Sequence, residues 1–381
     1  MKNTITAKFS IVTPMFIGDA NQQATDIRPP SIKGALRFWW RALNWDKFSA
    51  EYSTDVAAAL QALHKEEARL FGIAASDEKG GQGVFLLNVT SQQLKIENQP
   101  FTKKPNSYLL GMGLVENPKD GKPRSAIFEG TFNVQLLFRP NCKAEDKKSI
   151  ADALYAFGLL GALGSRARHG MGSVALTAWD GVEQREIPKT KQAYQQAIQQ
   201  LVGKPASGNA PFTAFTQKAR IDFSITDKNV FTLLDKVGAE QQMYRSYGRQ
   251  GKVLNKPAEK NFSADHDLIM RAGNGEKISE APKRAIFGLP HNYFFSSTYT
   301  NVNIDYLPDG KTGRRASPLI LHIHPLDDVG FTALHGLFVS EFLPKDAKIV
   351  IKSKSFVPAN VDWQVIHNYL NRFQQKETIL G

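Results

Sequence analysis

The first 180 residues carry strand-like alternation and helix-like spacing in one order that few folds accommodate. Ile5, Ala7, Phe9 and Ile11 alternate with polar residues, which predicts a half-buried first strand. An irregular connection from Pro14 to Ala24 leads to Arg28-Pro29-Pro30, where the prolines oppose an earlier helical start and the Ser31 hydroxyl is placed to cap the first turn. A second helical stretch is expected from Thr54 to Phe71. After the turn Gly80-Gly81-Gln82-Gly83, a strand is expected over Val84 to Val89. Thr131 to Phe138 alternates again, Ala144 to Leu163 has helical spacing, and Ser173 to Trp179 returns to strand. The order β-α-β-β-α-β is that of the ferredoxin-like split βαβ unit, an α+β fold whose four-stranded sheet also serves RNA-recognition domains.

The expected second and third strands are separated by an insertion of about 91–130, too long for a hairpin loop. It contains Lys103-Lys104-Pro105, Gly111-Met112-Gly113 and the run Lys119 to Arg124, and reads either as a projecting finger or as a surface excursion. A Gln-rich helix from Lys189 to Val202 ends in Gly203-Lys204-Pro205-Ala206-Ser207-Gly208, a composition suited to a domain boundary. The expected division is therefore a first domain over 1–185, a helix and linker over 186–214, and a second domain over 215–381. In the second, Ala219 to Ile225, Tyr293 to Thr298, Ser317 to His324 and Gly336 to Glu341 read as strands and Val361 to Phe373 as a terminal helix. These suggest a divergent second ferredoxin-like (RRM-like) unit with insertions and a C-terminal helix, without an evident internal repeat.

Lys and Arg outnumber Asp and Glu 48 to 36, a net +12 that points toward a polyanionic partner. The single cysteine, Cys142, excludes an intramolecular disulfide and a cysteine-cluster zinc site, and fits a reducing cytoplasm. The first residues lack a charged start followed by an apolar run, and no apolar stretch reaches membrane-spanning length, so neither secretion nor a membrane partner is expected.

Two constellations carry the chemistry. On a helix from Ser31 to Asn44, residues Ile32, Ala35, Leu36, Trp39 and Leu43 share an apolar arc, while Lys33, Arg37 and Arg41 stack four apart on an adjacent stripe. Like charges so placed repel by tenths of a kcal/mol per pair, roughly, and a bound anion would reverse the cost. Arg28 precedes the helix, the N-terminal amides favour anions, and Trp40 borders the stripe, either as core or as a stacking surface. An ordinary solvated face explains the stripe equally well. The second constellation is Gly164-Ser165-Arg166-Ala167-Arg168-His169-Gly170-Met171-Gly172, between helix and strand. Gly164, Gly170 and Gly172 would let main chain approach a sugar-phosphate strand, and Arg166 and Arg168 would add bidentate contacts. The same residues also suit a tight turn whose arginines pair within the protein. No Gly-Lys-Ser/Thr ending is present, so this is not a Walker-type loop.

Three strings together carry a resemblance: Thr13-Pro14-Met15-Phe16-Ile17-Gly18, the run Arg28-Pro29-Pro30-Ser31-Ile32-Lys33-Gly34-Ala35-Leu36-Arg37-Phe38-Trp39-Trp40-Arg41, and the glycine-rich loop. They resemble the RAMP proteins of CRISPR systems, and the long middle string is similar to subunit one of the type III-B Cmr effector complex. The likeness covers Met1 to Trp179. Ala285-Ile286-Phe287-Gly288-Leu289-Pro290 and Arg315-Ala316-Ser317-Pro318 extend it weakly into the second half. The resemblance implies two ferredoxin-like domains, assembly with other Cmr subunits around a CRISPR RNA near its 3′ side, and help in capturing target RNA.

Because RAMP relatives include guide-processing enzymes, a metal-independent endoribonuclease is the competing expectation, and it would need a positioned acid and base. His64 reads as surface exposed, His169 as a phosphate or base contact, and His322 and His324 as same-face residues of a strand without a third metal ligand. Asp265-His266-Asp267 reads as a helix start. The sequence thus assigns no catalytic residue, metal or cofactor. Its RNA-contact candidates in the second half are Lys283, Arg284, Arg314, Arg315 and the aromatic and basic run Tyr244 to Arg249. Contact with a neighbouring subunit is the alternative for all of these.

Overall fold

The computed structural model describes residues 3–381 apart from 20, 22, 54, 74–80, 98–105, 112–113, 115–123, 206, 296–297, 309–312, 345–346, 353–354 and 359–360. Its first unit runs β1 (Thr4–Ile11), α1 (Pro29–Glu51), α2 (Val56–Phe71), β2 (Phe85–Glu97), the short α3 (Asn106–Leu110), β3 (Ala126–Phe138), α4 (Ala144–Leu160) and β4 (Val174–Gly181). The strands form an antiparallel sheet in the order β2-β3-β1-β4, the ferredoxin-like arrangement. Alternation in β1 sends Ile5, Ala7 and Phe9 to the helix-covered face, where Phe9 stacks on Phe132 at 5.2 Å and meets Phe157 of α4 at 5.3 Å.

The expected boundaries move in two places. Pro29 and Pro30 lie inside α1 as its first two residues, and Arg28, not Ser31, occupies the cap position without a capping side chain. Proline suits this place because the first helical N–H groups have no intrahelical partner to lose. The insertion also shrinks, because β2 continues to Glu97 and β3 begins at Ala126, pairing residues expected to be loop. Lys103, Lys104 and Lys119 lie outside the described residues.

After a connecting helix α5 (Lys191–Val202), the second unit runs β5 (Arg220–Asp227), α6 (Val230–Arg245), α7 (Ser263–Gly273), β6 (His291–Phe295), β7 (Thr300–Leu307), β8 (Leu319–Leu326), β9 (Gly330–Leu337), β10 (Lys348–Ile351), β11 (Ser355–Pro358), α8 (Gln364–Leu370) and β12 (Glu377–Leu380). One sheet has the order β8-β9-β5-β12 and another the order β6-β7-β10-β11. With the two inserted hairpins set aside, β5-α6-β8-β9-α8-β12 repeats the connectivity and sheet order of the first unit. The helix expected to close the chain is therefore followed by a strand that completes the fold. The strand expected from Gly336 lies earlier, at Gly330–Leu337, and the one expected from Tyr293 belongs to the inserted sheet.

Helix α5 and Phe215 are packed against the first unit. Tyr194 and Ile198 of α5 are fully buried, the Tyr194 hydroxyl donates to Leu159 O, and Phe215 N donates to Ala42 O at 3.1 Å. A single apolar cluster consequently runs from Ile5 and Trp40 through Tyr194 to Phe223, Leu334 and Phe338. The units are also joined by main chain. β8 is an edge strand, and the glycine-rich loop covers it: Leu321 N donates to Arg168 O at 2.9 Å and Gly170 N to Leu321 O at 3.1 Å. This satisfies an edge that would otherwise present unpaired backbone groups.

Two outcomes follow from this packing. Gly172 has φ +66° and a Cβ there would lie 2.0 Å from Leu163 O, so Gly172→Ala should cost on the order of 2 kcal/mol, read as a lower denaturation midpoint. Burial pushes His324 and His335 down to about 3 and lowers His322 well below its usual value, so the folded state holds all three neutral. The unfolded chain binds these protons below about pH 6.5. Stability should therefore be complete above that pH and fall between about 6.5 and 3, by up to about 1.4 kcal/mol per pH unit for each histidine. Denaturant titrations across this range, repeated with His324→Gln, measure the slope.

Candidate nucleic-acid interface

The open face of the first sheet presents Asn88 and Thr90 of β2, Asn133 and Gln135 of β3, and Thr6 and Lys8 of β1, with Leu86 beside Leu137 at one end. These positions carry no aromatic ring, so the base-stacking platform of RNA-recognition sheets is not built here. RNA contact must be sought at the loops and helix ends.

The basic stripe of α1 is divided by tertiary contacts. Glu67 of α2, only 6% exposed, accepts from Arg41 Nη1 at 3.0 Å through both oxygens and stands 3.6 Å from Arg37 Nε. Arg37 also donates to Gly72 O and lies 5.8 Å from the Phe71 ring. The stripe lacks an acid within its own helix but receives one from the next. Lys33 stands apart, with no hydrogen bond or ion pair among the described residues, and burial followed by Arg37 lowers its pKa. Trp40 is core, 1% exposed, with its indole N–H donating to Ser149 Oγ at 2.8 Å. The helix N-terminus is a poorer anion site than expected, since Pro29 and Pro30 have no N–H and Ser31 N donates to Arg28 O at 3.0 Å.

The glycine-rich loop is braided with Thr13-Pro14-Met15-Phe16. Thr13 Oγ1 donates to Gly170 O at 2.7 Å and accepts from Ser173 N at 2.9 Å, Gly172 N donates to Pro14 O at 2.9 Å, and Ser165 N donates to Phe16 O at 2.9 Å. The close approach that the glycines permit is made by the protein itself: a Cβ at Gly164 would meet Phe16 O at 2.6 Å and one at Gly170 the Leu321 side chain at 2.9 Å. Arg168 also turns inward. It donates to Ser317 O at 2.7 Å and Thr213 Oγ1 at 3.2 Å, lies 5.3 Å from the Phe38 ring, and is pushed down to about 10 by burial and by Arg315.

Arg166 points outward. It is exposed, donates through Nε to Leu110 O at 2.6 Å, and is lowered by desolvation and by Arg245. Arg245, at the end of α6, has no ion pair among the described residues and rests 4.4 Å from the Phe287 ring. His169, between them, is pushed down to about 3 by the surrounding protein, then by Arg166, Arg245 and Arg168. His291 is likewise pushed down to about 3 by burial and by Arg245 and Arg284. Arg245 thus adds, after burial, to the lowering of Arg166, His169 and His291, marking a positive seam between the two units that an anion would relieve.

The second-half candidates separate in the same way. Arg284 donates to Arg245 O at 2.8 Å and lies 4.3 Å from the Tyr293 ring, while Arg315 donates to Glu341 O at 2.6 Å. Lys283 is exposed, 3.8 Å from Asp362, and Arg314 is exposed. Arg28 is exposed too, and donates to Gly18 O at 3.2 Å, two residues beyond the Phe16 that pairs with Ser165. The sequence points to Arg245 only as one member of the aromatic and basic run 244–249. His322 Nε2 and His324 Nδ1 are 3.2 Å apart and buried, while His335 bonds Ser224 Oγ at 2.6 Å; among the described residues no three His, Cys, Asp or Glu are grouped to hold a metal. Among the same residues, no helix is long and apolar enough to cross a membrane.

Residues 8–175, which make up nearly all of the first unit, match the family model of the RAMP superfamily. The whole chain has the fold of Cmr1 from Pyrococcus furiosus in its apo form, with TM-score 0.61 and 16% identity over 99% of each chain. It also resembles a chain of the cryo-EM structure of the type III-B Cmr-beta complex bound to cognate target RNA, with TM-score 0.53 and 13% identity over 98% of this chain and 99% of that one. No curated protein matches the sequence.

Removing the shared acid tests the divided stripe. Glu67→Gln should leave Arg37 and Arg41 partly buried without a counter-charge and cost about 1 kcal/mol after solvent screening, seen as a lower midpoint that Arg41→Gln in the same chain partly restores.

Proposed function

We propose that this chain is a non-catalytic RNA-binding subunit of a type III-B Cmr-type ribonucleoprotein, assembled with other Cmr subunits around a CRISPR RNA near its 3′ side and aiding capture of target RNA. The observation that carries the reading is the seam where Arg166 and Arg245 lie close without an ion pair among the described residues, with exposed Arg28 tied to Gly18 near the Phe16–Ser165 pairing; Lys33, elsewhere on α1, is a further cation without a partner among the described residues. Fold likeness to Cmr1 and to a chain of a Cmr-beta complex bound to target RNA supports the same reading. In it, 1–185 and 215–381 act as the two ferredoxin-like units and 186–214 as their packed connection. Lys283 and Arg314 extend the contact surface, whereas Arg37, Arg41, Arg168, Arg284 and Arg315 hold the fold that presents it.

The competing endoribonuclease reading requires a base that works near neutral pH. His169 is poorly suited, because an imidazole held near 3 accepts protons too weakly to be an efficient general base there.

Salt titration of single-stranded RNA binding measures the seam. Replacing Arg28, Lys33, Arg166 and Arg245 by glutamine should flatten the log–log salt dependence by about 0.7 per lost phosphate contact, while Arg37→Gln with Arg41→Gln should leave it unchanged. An unaltered slope in the folded four-site variant would remove the seam from the interface. Incubation with guide RNA completes the test: binding without products is expected, and specific cleavage lost on His169→Ala would overturn the non-catalytic assignment.

A further inference from the structure

A cavity of about 650 Å³ opens beside the seam, between the segment following α6 and the edge strand β6. Its size lies within the roughly 300–1,000 Å³ common for small-ligand sites. On one wall the Tyr247 and His266 rings stack in parallel, 3.7 Å apart with 8° between their planes, and Asp267 holds His266 Nδ1 at 3.0 Å. The ammonium of Lys260 lies 5.5 Å from the Tyr247 ring centre. The other wall belongs to β6, which contributes His291, Tyr293 and Phe294, the last 59% exposed.

The polar groups of this cavity are incompletely used. Tyr293 is 7% exposed, and its hydroxyl makes no well-formed hydrogen bond although the Arg284 guanidinium lies beside it, 4.3 Å from its ring. The His291 side chain has no hydrogen-bond partner among the described residues, and a neutral imidazole offers one donor and one acceptor. β6 has no strand partner on its outer side among the described residues, leaving edge backbone groups toward solvent. Cations stand at the mouth in Arg249 and Lys260.

We propose that this cavity receives a single unpaired nucleobase of the RNA strand that follows the seam, stacking it against the aromatic walls and hydrogen-bonding its edge through His291. The inference rests on the RNA-binding function above and specifies a subsite for it. A flat π-surface, a donor and acceptor pair and a phosphate are the three features of a nucleotide. Aromatic rings, the neutral His291 imidazole, and the Arg249 and Lys260 cations meet them in that order. Continuity with the seam is covalent: Arg245 lies directly before Ser246, which lines the cavity, and Arg245 is close enough to lower His291.

The experiment uses the full chain and short single-stranded RNAs carrying 2-aminopurine at one position at a time, whose fluorescence is quenched on stacking. One position should be strongly quenched. Tyr247→Ala and His291→Ala should each relieve that quenching and weaken binding on the order of tenfold while leaving the salt slope unaltered, and Tyr247→Phe should retain both signals. RNA binding with a normal salt slope but no quenched position would overturn the base site alone. Quenching and affinity that persist in folded Tyr247→Ala and His291→Ala would overturn it as well. A wild-type chain that binds no RNA would overturn both this inference and the function on which it rests.

Discussion

Everything else in this protein is arranged around a short stretch of main-chain pairing: Arg168 O and Gly170 N bonded to the two sides of Leu321. The loop that follows α4 in one ferredoxin-like unit supplies the missing neighbour for the edge strand of the other. Backbone hydrogen bonds of this kind require the chain to come very close, and Gly170 admits the contact because a Cβ there would lie 2.9 Å from the Leu321 side chain. The two units then share one apolar cluster through α5 instead of being tethered by a spacer. A positive seam can exist between them because their relative placement is fixed by this joint.

The arginines illustrate how little charge spacing says about charge use. Arg168, Arg284 and Arg315 donate to carbonyl oxygens across the molecule, and Arg37 and Arg41 converge on one buried carboxylate. Such groups gain several hydrogen bonds within the fold, and detaching them to meet RNA would sacrifice those bonds. Arg166 also donates to a carbonyl, Leu110 O, but it and Arg245 have no ion pair among the described residues and stand close to like charge, which leaves electrostatic energy to be recovered when a polyanion arrives. The net charge of +12 therefore overstates the binding surface.

Much of the first unit was readable because its patterns are local. Alternation in Ile5 to Ile11 and helical spacing in Ala144 to Leu160 each reflect a single buried face, and the chain order did the rest. The second unit was harder to read. Two hairpins that build a separate sheet interrupt its βαββαβ order, and its last strand, Glu377–Leu380, is only four residues long. The start of α1 was misplaced by two residues because a double proline reads equally well as a stop before a helix or as its first turn.

By itself the sequence determined the ferredoxin-like order of the first half, the positive balance, and the strings around Thr13, Arg28 and Gly164 that mark the RAMP family. These are properties of neighbours along the chain. Only the tertiary structure decided which cations are free, that the glycines embrace protein backbone, and that Tyr247, His266 and His291 enclose one cavity. The physical reason is the same in each case. Burial and ion pairing depend on partners distant in sequence, such as Glu67 for Arg41 and Leu321 for Gly170, and no local pattern records who those partners are.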